Sequence, residues 1–215
     1  MNCVAYGRQR DQKVMELIAR GGAFSRSQIQ SLIFSNRKEG ERICRRSLNR
    51  LYVRKKINKW VRSSHEPAIY YLRKPRQIEH ALLINDVYCA LIAQKKSWYH
   101  IDFRWSYPIL GGKVRADAMA IIYTQPDRKG KQVIFIEVER HPSKRFDKPE
   151  IYQKIFDAEW SHEEWCVTTD KKYIFPTVLI VTEENLHLQS PLRFRTATLA
   201  EVKKDIYSII LRKEL

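Results

Sequence analysis

Glycine is scarce in this chain, 7 residues in 215, and neither GxGxxG nor GxxxxGK[ST] occurs. Without such a loop the sequence offers no backbone cradle for the phosphates of a nucleotide cofactor. Cysteine is scarcer: Cys3, Cys44, Cys89 and Cys166 are scattered with no paired spacing. That excludes a zinc ribbon or finger and suits reduced thiols in a cytoplasm, the expected location. Long apolar runs are missing too. The most apolar stretch, residues 81–93, is interrupted by Asn85 and Asp86. A membrane helix needs about 20 apolar residues, so no span is expected. Residues 1–10 carry two arginines and no apolar core, unlike a secretory signal. No serine sits in a GxSxG elbow and no HExxH pair occurs, so two common hydrolase signatures are absent. What is present is ordinary for a globular chain, 44% hydrophobic and 30% charged, with length for one large or two small domains.

Acidic residues are nearly missing from the first third. Residues 1–75 hold 18 basic and 5 acidic side chains, a net of +13 out of +16 for the whole chain. A localised positive field of this size favours a polyanion, and phosphate contacts make nucleic acid the leading partner. The charge balance shifts at Pro75, which divides the chain into an expected basic domain, 1–75, and a second domain, 76–215.

The basic segment reads as three helices and a hairpin. Val14, Leu17 and Ile18 place one helix over residues 12–19, stopped by Gly21 and Gly22. Ser25 with Gln28 forms a capping box for a second, whose apolar face is Ile29, Leu32 and Ile33. A third helix over 39–52 gathers Cys44, Ser47, Leu48 and Leu51 on one stripe and spreads Arg42, Arg45, Arg46, Asn49 and Arg50 over the rest. Arginine donates bidentately to guanine and asparagine to adenine, so this face suits a major groove; a solvated charged face is the plain alternative. Residues 55–62, carrying Lys55, Lys56, Lys59 and Arg62, and residues 68–72 flank a polar tip at 63–67 and read as a hairpin placed to touch flanking phosphates. The expected arrangement is a winged helix-turn-helix.

The second segment opens with a helix over 78–93, in which Asn85 is the one polar member of an apolar stripe; either it serves a site or it caps a neighbouring loop. Strands are expected at 98–105, 113–123 and 132–139, the last two joined by a turn-rich 124–131. A helix from Pro149 to about Trp160, a strand at 176–182 and a final helix at 199–211 complete a mixed sheet with packed helices. Alternation puts Asp117 on one face of its strand and Glu137 with Glu139 on one face of the next. Pairing Tyr123 with Val133 sets Asp117 across from Glu139; a slip of two sets it across from Glu137. Three converging carboxylates would need a cation, and their hard oxygens suit Mg²⁺ or Mn²⁺. Salt bridges along a solvent-facing strand edge are the alternative.

Asp117 followed by Glu137-Val138-Glu139 resembles the PD-(D/E)xK nuclease superfamily, with Glu139 standing where that pattern has lysine. Lys154 on the following helix is then the candidate ammonium, with Gln153 the weaker one. From about Gln12 to Ile209 the chain is similar to the replication-relaxation family of plasmids, phages and other mobile elements. The anchors are the basic winged helix, residues 80–87 (HALLINDV), Arg115-Ala116-Asp117-Ala118, Phe135-Ile136-Glu137-Val138-Glu139-Arg140, and Tyr152 with Lys154. The resemblance implies an α+β chain, a winged helix followed by a nuclease-like domain, that binds double-stranded DNA in replication or mobilisation. A Mg²⁺-dependent endonuclease using Asp117, Glu137 and Glu139 is the alternative, and a transcriptional repressor a further one. A homodimer stays open, since two-fold pairs are common among helix-turn-helix proteins.

Overall fold

The computed structural model describes residues 3–35, 38–125, 130–140, 148–158, 160, 163, 165–166, 174–183 and 192–211. It is a mixed α+β chain in two compact units, Met1–Cys89 and Ala90–Leu215. The division falls later than Pro75, inside a helix, because the residues after Pro75 bond to the elements before it.

In the first unit, α1 spans Cys3–Gly21, longer than its apolar spacing predicts. Strand β1 (Ala23–Ser25) leads into α2 (Arg26–Ile29), which runs on as a π-helical turn, Gln30–Phe34. The capping box at Ser25 and Gln28 is present. Gln28 also donates to Leu82 O at 2.9 Å and Asp86 Oδ1 at 2.7 Å, which ties the cap to α4 (Ile78–Gln94). Asn85 settles as a cap: its buried amide donates to Gly21 O at 3.1 Å and Ala23 O at 2.6 Å, where α1 ends. Buried carbonyls left unpaired cost about 1–3 kcal/mol each, so this one polar residue holds the turn between α1 and β1. Helix α3 covers Gly40–Val53. Its first residue has no room for a side chain, since a Cβ on Gly40 would lie 2.2 Å from Phe34 O. Strands β2 (Asn58–Trp60) and β3 (Ile69–Tyr71) form the expected hairpin, shorter than the sequence suggests. β1 pairs with the other edge of β3, giving an antiparallel sheet in the order β1-β3-β2.

In the second unit, β4 (His100–Ile109), β5 (Val114–Tyr123) and β6 (Lys131–Val138) form an antiparallel meander. Helix α5 (Lys148–Asp157) precedes β7 (Thr177–Val181), which lies parallel to β6. A further parallel strand, β8 (Phe194–Ala197), completes the sheet β4-β5-β6-β7-β8. It escapes the sequence pattern because Phe-Arg-Thr-Ala is four residues at a half-buried edge. Helix α6 (Leu199–Ile210) carries its own capping box, Thr198 with Glu201. Gln94 bonds α6 three ways, to Val202 O, Lys203 O and the Ile206 N–H. The centre of the sheet is buried on both faces: Ala118, Ala120, Ile122 and Ile134 on one, Met119 and Phe135 on the other. The second face packs on Tyr152 and Ile155 of α5. Full burial of a side chain such as Phe135 contributes about 1.5–3 kcal/mol. Residues 126–129, within the stretch 124–131 expected to join β5 and β6, lie outside the described residues.

Candidate functional site

Each unit carries its own cluster of chemistry-bearing side chains. In the first, α3 buries Cys44, Ser47, Leu48 and Leu51, the stripe its spacing predicts. Burial pushes the Cys44 thiol up to about 11, so it is an inert core group. The arginines of the opposite face divide into two kinds. Arg50 is turned inward: its Nε and Nη2 donate to Asp11 of α1 at 2.8 and 2.7 Å, and Ser47 donates to the same carboxylate. It joins α3 to α1 while its side chain stays 39% exposed. Arg42 pairs with Glu39, and Arg45 with Glu41 at 2.7 Å, both at the surface. Such pairs are worth little in water and yield readily to a phosphate. Arg46 and Asn49 are exposed, and no acid pairs with Arg46 among the described residues.

The cationic surface continues past the helix. Arg54, Lys55, Lys56 and Lys59 are all exposed. Arg54 joins the set only in the structure; it is the residue on which α3 ends. The helix closes with Lys55 N–H on Tyr52 O and Lys56 N–H on Leu51 O, each at 2.9 Å, and Lys55 in the left-handed region at φ 55°. That pattern ordinarily takes glycine. Arg62 is engaged instead, paired with Glu79 and Glu66 and lying 5.4 Å over the Trp60 ring, with Lys74 also over that ring at 5.2 Å.

In the second unit the register is the slipped one: Tyr123 pairs with Lys131, and the same ladder carries Asp117 to Glu137 rather than to Glu139. Asp117 Oδ2 accepts from the Val138 N–H at 2.9 Å. Glu137 is 1% exposed. Its Oε2 accepts from Lys148 Nζ at 2.8 Å and its Oε1 from the Tyr152 hydroxyl at 2.7 Å. Burial first, then the Asp117 charge, push the Glu137 carboxyl up to about 7, against the opposing pull of Lys148 and Tyr152. The Tyr152 hydroxyl is driven well above its ordinary range by burial and by Glu137.

This cluster differs from the expected one in two places. Lys154 is exposed on α5; the ammonium at the carboxylate is that of Lys148, in the first turn of the same helix. Tyr152 and Ile155 face the sheet, and helical spacing turns Lys154 away from them. A count from the buried Tyr152 back one turn finds Lys148, a signal available in the sequence. Glu139 lies just past β6, half-exposed, with its backbone N–H on Val181 O. Among the described residues no three His, Cys, Asp or Glu side chains come close enough together to hold a metal ion. No helix among them is long and apolar enough to cross a membrane. Compared with family models, curated proteins and solved structures, the chain matches none of them.

Proposed function

We propose that the chain is a double-stranded DNA-binding protein of a plasmid, phage or other mobile element, acting in replication, mobilisation or its control. The reading takes Met1–Cys89 as a winged helix-turn-helix and α3 as its recognition helix. The observation that carries it is α3 itself: an apolar seam fixed in the core, Arg46 and Asn49 held outward, and a run of cations from Arg54 to Lys59 following the helix. Arg46 and Asn49 are the base-reading pair, with Arg42 and Arg45 beside them released from their surface acids on contact. Lys55, Lys56 and Lys59 hold flanking phosphates. The experiment is fluorescence anisotropy of the protein with duplex DNA. Arg46→Ala and Asn49→Ala each weaken binding about 5- to 150-fold, by losses of about 1–3 kcal/mol. Unchanged affinity in both variants sinks the assignment of α3.

A second reading, a phosphodiester endonuclease, is favoured by the Asp117–Glu137–Lys148 cluster. The order β4-β5-β6, α5, β7 with acids on β5 and β6 is what the nuclease resemblance implies, with Lys148 in the place given to Lys154. In this reading Asp117 and Glu137 would hold a Mg²⁺ or Mn²⁺ ion, which would polarise a phosphate and lower the pKa of attacking water. Within the chain, Tyr152 orients Glu137 and Lys148 offsets its charge. Supercoiled plasmid incubated with either ion tests this reading. Nicking that disappears in Asp117→Ala and Lys148→Ala supports it; intact plasmid with retained duplex binding leaves the sheet domain as a scaffold.

A further inference from the structure

Val53 is the most exposed large apolar side chain among the described residues, 70% open to solvent, and it is the last residue of α3. The helix fixes its direction. At about 100° per residue, Arg42, Arg46, Asn49 and Val53 fall within an arc of about 60°. The buried Cys44, Ser47, Leu48 and Leu51 occupy the opposite side. All four members of the outer stripe are exposed. The neighbouring Tyr52, 45% exposed, is turned about 100° away from Val53 and does not belong to it. A β-branched residue in this place does little for the chain on its own. It is a weaker helix former than lysine, glutamate or glutamine, and it removes little apolar surface from water.

A major groove offers such a side chain a partner. Each base pair presents a distinct edge there, and the one apolar group on those edges is the 5-methyl of thymine. Arginine and asparagine are the residue types for guanine and adenine edges, and they stand at 46 and 49 of the same stripe. From Arg42 to Val53 the helix rises about 16 Å, the length of about five base pairs at about 3.4 Å each. Asn49 and Val53 lie about 6 Å apart along the axis, about two base-pair steps. We propose, on the reading of α3 as a recognition helix, that Val53 is a base-reading residue that packs against the 5-methyl of a thymine about two steps from the base that Asn49 reads. The stripe then selects by hydrogen bonds in its middle and by an apolar contact at its end. Arg54 and Lys55 follow directly, so phosphate contacts anchor the end of the helix that carries Val53.

The test uses a duplex that the full chain enriches from a random pool of short duplexes. The same duplex is then made with deoxyuridine for every thymine, which removes the 5-methyl groups and leaves the hydrogen-bonding edges as they were. Fluorescence anisotropy compares the two duplexes with the parent chain and with Val53→Ala. The parent binds the deoxyuridine duplex about fourfold more weakly, the factor for returning one methyl-sized group to water. Val53→Ala binds the two duplexes alike, and restoring single thymines recovers the parent's affinity at one position only. Truncation of so exposed a side chain leaves the core untouched, and an unchanged thermal midpoint checks this. Equal binding of both duplexes by the parent overturns the proposal. So does a Val53→Ala protein that keeps the parent's preference, or one weakened equally on both duplexes. These outcomes leave α3 as a recognition helix so long as Arg46→Ala still weakens binding. Enrichment of no duplex at all is the different result: it removes the α3 reading, and the thymine contact with it.

Discussion

Glu137 is a carboxylate that the fold makes expensive to ionise. It is buried, a second carboxylate faces it across the β5–β6 ladder, and one ammonium and one phenol offset part of the cost. Its carboxyl is raised from an ordinary 4.5 to about 7, so the folded state holds a proton that the unfolded state has released. The sign follows from linkage: this contribution to stability is complete below about pH 4.5 and lost as pH rises through about 7. In buffer with a chelator, Glu137→Gln is expected to flatten the denaturation midpoint between pH 5 and pH 8 relative to the parent. An equal pH dependence in both proteins would show that another group is responsible. Arg50 gives a second test at this scale. Its two bonds to Asp11 join α3 to α1, so Arg50→Ala lowers stability by about 1–2 kcal/mol, discounted for a side chain 39% exposed. Urea denaturation reads that loss, while duplex affinity falls far less than in Arg46→Ala. An arginine clamping two helices and an arginine facing DNA have the same signature in sequence. Only the partner, Asp11 one helix away, separates them, and nothing local to α3 announces it.

Helix α3 is fixed at both ends by specific backbone geometry. Its start is pinned by Gly40 against the Phe34 carbonyl, and its end by paired bonds that place Lys55 in a left-handed conformation. The left-handed region costs a side-chain-bearing residue about 1–2 kcal/mol, partly offset by the backbone freedom that glycine loses on folding. Lys55→Gly is therefore expected to stabilise the protein by about 0.5–1 kcal/mol and to weaken duplex binding at the same time. Opposite movements of the urea midpoint and the anisotropy constant are the readout; a variant that gains stability with no loss of affinity would remove Lys55 from the phosphate contacts. The apolar stripe of α3, the capping box of α2 and the helical span of α4 were all legible in sequence, because each is a local pattern. What was not legible was set from a distance. Alternation does not choose between the two registers of β5 and β6, since both bury the same face. β1 and β8 are short and exist only because β3 and β7 offer them an edge. The ammonium at Glu137 comes from a helix whose start the sequence placed one residue too late, at Pro149 rather than Lys148.

At the scale of the whole molecule the charge is partitioned. The first 75 residues carry +13 of the net +16, so attraction to a polyanion is concentrated in the unit that contains α3. Four of those 18 basic side chains, Arg42, Arg45, Arg50 and Arg62, each meet an acid. Arg46, Arg54, Lys55, Lys56 and Lys59, spaced from the middle of α3 into β2, are the exposed cations that the proposed α3 reading sets against phosphate. Each lysine or arginine that neutralises a phosphate releases a counterion, and the logarithm of the binding constant then falls with the logarithm of salt at about 0.9 per contact. Replacing these five by glutamine in the full chain is expected to flatten that slope by about 0.9 for each one that touches a phosphate. Neutralising Lys131 and Arg193 in the other unit leaves the duplex slope where it was. Anisotropy measured from about 50 to 200 mM salt, the range over which such contacts change affinity most visibly, decides the matter. A slope that survives the five substitutions would mean that this run of charge is solvated surface and that the duplex, if bound, is held elsewhere. A slope that collapses with them would make the first unit the DNA-binding module.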